Sequence, residues 1–138
     1  MAPPPPEIQW QQFTPAQPPP EQAQTLLGRE VTKLFDDAQP QPVVVAATRG
    51  DAWLAAMLVV LEPDADAASI RQLVVTPDAR GQGLGGRLLR KAVHLAREHG
   101  LSRVRSTAGF GCPDHRHMYQ RLHFDDVDEP PYLLARAV

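Results

Sequence analysis

Ile70-Arg-Gln-Leu-Val-Val-Thr-Pro-Asp-Ala-Arg-Gly-Gln-Gly-Leu-Gly-Gly86 is the stretch that decides the fold. An apolar strand, Ser69 to Val75, is stopped by Pro77 and runs into a turn with four glycines between Gly81 and Gly86. Leu84, Leu88, Leu89, Ala92, Val93 and Ala96 then recur at helical spacing up to about Glu98, and His99-Gly100 closes the helix. Strand, side-chain-free turn and helix N-terminus together make an anion site. Free backbone N–H groups point outward, the helix dipole adds partial positive charge, and glycines let a ligand approach the main chain. Each glycine costs about 1 kcal/mol in a helix relative to alanine, which is wasteful for mere slack. The expected ligand carries a phosphate or pyrophosphate.

Upstream, Glu7 to Phe13 has weak strand character, with Ile8 and Trp10 on one face. A proline-rich loop follows, then one helix from Pro20 or Glu21 to about Asp37, with Leu26, Leu27, Val31, Leu34 and Phe35 on one stripe. Val43–Thr48 and Ala52–Leu61 read as strands joined by a hairpin turn at Arg49-Gly50-Asp51, both apolar on both faces and hence central. Downstream, Arg103–Thr107 is a short strand, Pro113 or Asp114 starts a helix to Leu122, and Phe124–Val127 and Tyr132–Ala137 are closing strands. Hairpin-linked strands followed by a βαβ crossover predict an α/β fold of the α+β kind: a mixed, mostly antiparallel sheet with flanking helices.

The chain has 138 residues, enough for one domain with a sizeable core. Residues 1–6 read as a disordered proline-rich leader, and residues 7–138 as one domain. A net charge of −2 with dispersed basic residues gives no argument for nucleic acid. No signal peptide and no run of about 20 apolar residues is found, so no membrane partner is expected. Cys112 is the single cysteine, which excludes an intrachain disulfide and points to the cytoplasm. Arg49-Gly50-Asp51 reads as a turn rather than an adhesion motif.

Gly81 to Gly86 also matches the dinucleotide pattern G-x-G-x-x-G. That reading requires an acidic residue at the end of the next strand to hold a ribose. Here that strand ends Ser106-Thr107-Ala108, without a carboxylate. A phosphate loop of the Gly-Lys-Ser/Thr kind is absent.

The segment resembles the GNAT superfamily of acetyl-CoA-dependent N-acetyltransferases. The resemblance rests on Gln/Arg-x-x-Gly-x-Gly/Ala, here Arg80, Gly83 and Gly85, after a strand ending Leu73-Val-Val-x-Pro77, and on the later Tyr119-x-x-x-x-Phe124. It is strong from Ile70 to Phe124. It implies a GNAT-like fold with splayed strands and acetyl-CoA as co-substrate. Gly81, Gln82, Gly83, Leu84, Gly85 and Gly86 would cradle the pyrophosphate, flanked by Arg80 and Arg87. The pantetheine arm would run along Leu73, Val74 and Val75, beside the strand at Arg103–Thr107. An unpaired strand edge can hydrogen-bond such an amide-bearing arm as it would another strand, and Arg80 can add charge for a phosphate.

The reaction implied is direct acetyl transfer to a primary amine of a small molecule or a protein. By position, Val75 or Val74 supplies the N–H that polarises the thioester, and Tyr119 is the acid for the departing thiolate. A phenol, with a pKa near ~10, suits that step better than a carboxylate. Tyr119 also reads as a half-buried aromatic with a structural partner. The family's usual glycine before the phenylalanine is His123 here. No carboxylate lies on the strand at Ser69–Val75; His115 and His117 are the nearest candidate bases. Cys112, His115 and His117 lack a fourth ligand for a metal, and none is expected. Only one helix lies where the family usually holds two that shape the acceptor pocket. That implies an open acceptor site or one completed by a second subunit in a homodimer. The acidic residues Asp125, Asp126, Asp128 and Glu129 could attract a cationic amine or form a solvated loop. A non-catalytic acyl-CoA-binding module that regulates a partner protein is the alternative.

Overall fold

The computed structural model describes residues 7–37, 40–107 and 114–138, of which 114–116 by backbone only. The elements run β1 (Gln9–Phe13), α1 (Glu21–Leu27), α2 (Glu30–Asp37), β2 (Gln41–Arg49), β3 (Ala52–Glu62), β4 (Ala67–Val75), α3 (Leu84–Glu98), β5 (Arg103–Ser106), α4 (Asp114–Arg121), β6 (Asp125–Glu129) and β7 (Tyr132–Ala137). All seven strands join one sheet in the order β1-β2-β3-β4-β5-β7-β6. Only β4 and β5 pair in parallel; every other neighbour is antiparallel, so the sheet is mixed and mostly antiparallel as expected. Leader residues 1–6 and Cys112 lie outside the described residues.

Strand alternation explains why β2 and β3 are apolar on both faces. Val43, Val45, Ala47, Met57, Val59 and Leu61 face one core with Leu84, Leu88 and Leu89 of α3. Val44, Ala46, Ala56 and Leu58 face a second core under Ala23, Leu27 and Val31 of α1 and α2. Each face is covered, so no polar register is required of either strand. The tight turn at Gly50, with φ +59°, joins the two.

One expectation is corrected here. The single helix from residue 21 to residue 37 is two helices, α1 and α2, broken at Gly28, whose φ is +89°. Gly28 donates its N–H to the Gln24 carbonyl and turns the chain, a conformation open to a residue without Cβ. The apolar stripe does not register the break, because Leu27 and Val31 remain four residues apart and both reach the same core. The two helices expected of the resembled family are therefore present.

A β-bulge bends β4. Leu58 opposes Gln72 while Val59 opposes Ile70, which leaves Arg71 as the extra residue. Ile70 and Leu73, three apart rather than two, both enter the α3 core as a result. Beyond the bulge β4 parts from β5. The parallel pairing covers Ala67–Ile70 against Arg103–Ser106, and the last links are from Thr107: its N–H to the Ile70 carbonyl (3.2 Å) and its hydroxyl to the Arg71 carbonyl (3.1 Å). Among the described residues no helix is long and apolar enough to cross a membrane.

Candidate active site

The splay leaves the last residues of β4 with an edge that β5 does not pair. Thr76 donates its N–H to the Leu54 carbonyl at 2.9 Å, across from the Ala55–Val75 pair. Hydrogen-bonded and non-bonded pairs alternate in an antiparallel ladder. The N–H of Val75 therefore points away from β3 into the splay, as does that of Leu73, while that of Val74 is turned toward β3. Of the two candidates, only Val75 has its N–H on the open edge.

The edge leads to a cleft of about 580 Å³ lined by Val75, Ala79, Arg80, Gly81, Gly83, Leu84, Gly85, Gly86, Arg87, Arg90 and, from α4, His117, Met118, Arg121 and Leu122. Most of the expected loop residues thus share one surface. Leu73, Val74, Gln82 and Tyr119 are not in its lining: Leu73 is buried under α3, Val74 packs toward α1 and α2, and Gln82 is exposed in the turn.

Each glycine has its own reason. Gly81 and Gly83 hold φ of +84° and +75°, and Gly83 is the N-cap of α3, where a side chain would strain the backbone. Gly85 is a packing position, because a Cβ there would meet Met118 Sδ at 2.5 Å. Gly86 is helical and a Cβ on it would meet nothing within 4 Å. Neither backbone strain nor protein packing demands glycine at 86, and the open space above it suits an incoming ligand.

The electrostatics favour an anion. Arg80, Arg87, Arg90 and Arg121 line the cleft with no carboxylate among the lining residues. Among the described residues none of the four enters an ion pair. The Arg87 guanidinium lies 4.9 Å from the Trp10 ring centroid, and Lys91, one turn later, 4.7 Å. β1 thereby steadies the side of α3 that borders the cleft.

Tyr119 is fully buried, its ring edge-on to Phe124 at 5.1 Å and its hydroxyl 2.7 Å from Ser106 Oγ. Burial pushes the phenol above its ordinary range, and the Ser106 hydrogen bond offsets part of that shift. The group stays protonated at neutral pH. The helix end that places it keeps the left-handed residue, His123, with φ +67°. Phe124 N–H bonds the Tyr119 carbonyl and His123 N–H the Gln120 carbonyl, both at 3.0 Å. This is the Schellman pattern that Gly100 makes at the end of α3, where Leu101 bonds Ala96 and Gly100 bonds Arg97. His123 thus takes the glycine's place without changing how the helix ends.

On the opposite face of β4, Arg71 of the bulge pairs with Glu30 of α2 at 2.5 Å and donates to the Tyr132 hydroxyl at 3.3 Å. Glu30 is the carboxylate nearest the bulge that sequence reasoning missed. Nothing in its local pattern marks it, because α2 reaches β4 only after the turn at Gly28. Ser106 was missed for the same reason: its partner is distant in sequence. Arg90 was missed as well, although it carries a signal as the basic residue one turn beyond Gly86. His117 is exposed, and the His115 side chain is outside the description. Among the described residues no group of His, Cys, Asp or Glu could hold a metal ion.

The profile of the Acetyltransferase (GNAT) family matches residues 6–124, and the chain belongs to that family. No curated protein sequence matches significantly. Among solved structures, the chain is similar to the IAA acetyltransferase from Bacillus cereus, with TM-score 0.71, 16% identity, and coverage of 96% of this chain and 100% of that one. It is similar also to a GNAT family acetyltransferase from Elizabethkingia anophelis with acetyl-CoA bound (TM-score 0.71, 16% identity, 95% and 98% covered). A third is a ribosomal-protein alanine N-acetyltransferase from Escherichia coli (TM-score 0.72, 13% identity, 96% and 94% covered). At these identities the likeness is one of fold.

Proposed function

We propose that this protein is a cytoplasmic N-acetyltransferase that passes an acetyl group from acetyl-CoA directly to a primary amine of a small molecule or protein. The observation that carries the reading is the continuity of the unpaired β4 edge at Val75 with a cation-lined cleft floored by Gly81, Gly83, Gly85 and Gly86. Acetyl-CoA bound in the Elizabethkingia relative supports it. The residues fit such a co-substrate: the α3 N-terminus, Arg80 and Arg87 meet the pyrophosphate, and the unpaired β4 edge takes the pantetheine arm.

In the transfer, the Val75 N–H polarises the thioester carbonyl. The lone pair of a neutral amine attacks the carbonyl carbon, the C–S bond breaks, and Tyr119 gives its proton to the sulfur. The proton shed by the amine passes to water. The phenolate left on Tyr119 is reprotonated from its hydrogen-bonded surroundings, of which Ser106 is the nearest member. The acceptor approaches from the side of α1, α2 and the Arg71–Glu30 pair. With one cysteine in the chain, a reducing compartment suits the protein.

A non-catalytic acyl-CoA-binding module is the second reading. It is favoured by the closed packing of Tyr119 against Ser106 and by the lack of a carboxylate on β4. Calorimetric titration with acetyl-CoA, against NAD, tests the site, and micromolar affinity for the former alone is expected. CoA release with a panel of amines then separates the readings: an enzyme turns over and loses turnover in Tyr119→Phe, whereas a sensor binds and releases nothing. Absence of acetyl-CoA binding would reject both.

A further inference from the structure

The β4 bulge puts a charged residue at the point where β4 and β5 part. Arg71 is the residue it adds, and the Arg71 carbonyl accepts the Thr107 hydroxyl in the last link between the two strands. Bulges re-aim side chains beside active sites, and this one turns a guanidinium to the face from which the acceptor comes. Its neighbours in the same polar network are fully engaged. Arg105 donates to Ser69 and Glu62 and lies over the Tyr132 ring, and Arg103 donates to both oxygens of Glu129. Arg71 differs. Among the described residues it meets one oxygen of Glu30 through Nη2 and the Tyr132 hydroxyl through Nη1. A guanidinium has five N–H donors in a fixed fork, and these contacts use two. Glu30 in turn engages Oε1, and its Oε2 has no partner among the described residues. The Arg71 and Glu30 side chains are 35% and 30% exposed, so the pair is open to solvent with donors and an acceptor to spare.

We propose that Arg71 and Glu30 select a free α-amino acid as the acceptor: the spare donors of Arg71 take its carboxylate, and Glu30 takes its ammonium group. The inference rests on the N-acetyltransferase reading above and narrows its acceptor. An α-amino acid carries the same two charges as the pair, in reverse and on one carbon, so each charge meets its opposite when it docks. Guanidinium geometry favours paired hydrogen bonds to a carboxylate. An amine without a carboxylate leaves the Arg71 donors unmet, and so does an amide or the N-terminus of a peptide. An acid without an amine faces the Glu30 charge. The Tyr132 hydroxyl, which accepts from Arg71 and donates to Glu62 at 3.3 Å, holds the guanidinium in place and acts as a positioning group. Glu30 keeps the ammonium at the splay until its proton passes to water. The free amine then attacks as described above, so the transfer step is unchanged.

Steady-state CoA release by the whole protein tests the proposal, with acetyl-CoA and a panel of α-amino acids, their amides, the matching decarboxylated amines and a short peptide with a free N-terminus. At least one amino acid is expected to exceed its own amide and its decarboxylated amine by about tenfold or more in kcat/KM. In Arg71→Gln that preference should collapse toward parity, chiefly through a higher KM for the amino acid. Arg71→Lys, which keeps the charge without the fork, should give an intermediate ratio. Thermal melts verify that both variants fold. If Arg71 were only a tie between α2 and β4, its loss would lower turnover of acid and amine alike and leave their ratio as in the wild type, which overturns the inference. Amides, amines or the peptide serving the wild type as well as the amino acids also overturns it, and leaves the N-acetyltransferase reading intact. Acetyl-CoA binding without CoA release on any of these amines would bring down that reading, and the acceptor assignment with it.

Discussion

The Tyr119 hydroxyl shares a fully buried hydrogen bond with Ser106 Oγ, and burial raises its pKa above that of a phenol in water. A group whose folded pKa is raised contributes stability that is complete below its unfolded pKa and is lost as pH rises beyond it. The window therefore opens above about pH 10. Denaturant unfolding across that range should show wild-type stability falling, and the fall should be shallower in Tyr119→Phe. Superimposable slopes would mean that the phenol ionises freely in the folded protein. Below that window, the same substitution should destabilise by about 1 kcal/mol through the hydrogen bond it removes. His123 provides a second test. Its φ of +67° is a left-handed position on an exposed residue, so His123→Gly should raise stability by about 1 kcal/mol, read as a higher Tm. An unchanged or lower Tm would show that the imidazole makes up for the strain.

At the scale of elements, the first turn of α3 separates structural from ligand-facing glycines. Alanine at 86 meets open space in a helical conformation and should stabilise the free protein by about 0.5–1 kcal/mol. The same methyl should weaken acetyl-CoA binding about tenfold, since it occupies the approach to the backbone. Alanine at 85 should stabilise less than alanine at 86, because its methyl first requires the flexible end of the Met118 side chain to move. Paired melts and titrations decide; unaltered binding in Gly86→Ala would place the ligand elsewhere. The strand, turn and helix of this region were legible because apolar period, Pro77 and the glycines all act locally. The break between α1 and α2 was not, because a continuous stripe ran across it and only the φ of Gly28 distinguishes one helix from two.

Across the whole molecule, charge-assisted hydrogen bonds and ion pairs tie segments far apart in sequence. Asp66, in the turn before β4, accepts the Ser102 N–H at 3.0 Å and its hydroxyl at 2.5 Å. Arg103 clasps Glu129 at 2.6 Å. The Ser102 hydrogen bonds hold the Asp66 carboxyl below its ordinary range, and the Arg103 hydrogen bond does so for Glu129. Lowered folded values contribute stability above the unfolded pKa that is lost as pH falls through the folded one, here below about pH 4. Asp66→Asn/Glu129→Gln should therefore lose less stability on acidification from pH 5 to pH 2 than the wild type. Parallel curves would refute a role for these two carboxylates.

Periodicity, turn residues and the glycine-rich motif set the kind and order of the strands, the mixed sheet and the glycine-rich turn before α3, because each of these depends on neighbours within a few residues. Folding in three dimensions decided the rest. The bulge that places Arg71 beside Glu30, the orientation of the Val75 N–H into the splay, the burial of Tyr119 on Ser106 and the meeting of Arg90 with Arg121 in one cleft join residues from separate elements. Such contacts arise from sheet register and helix packing, which no local pattern encodes.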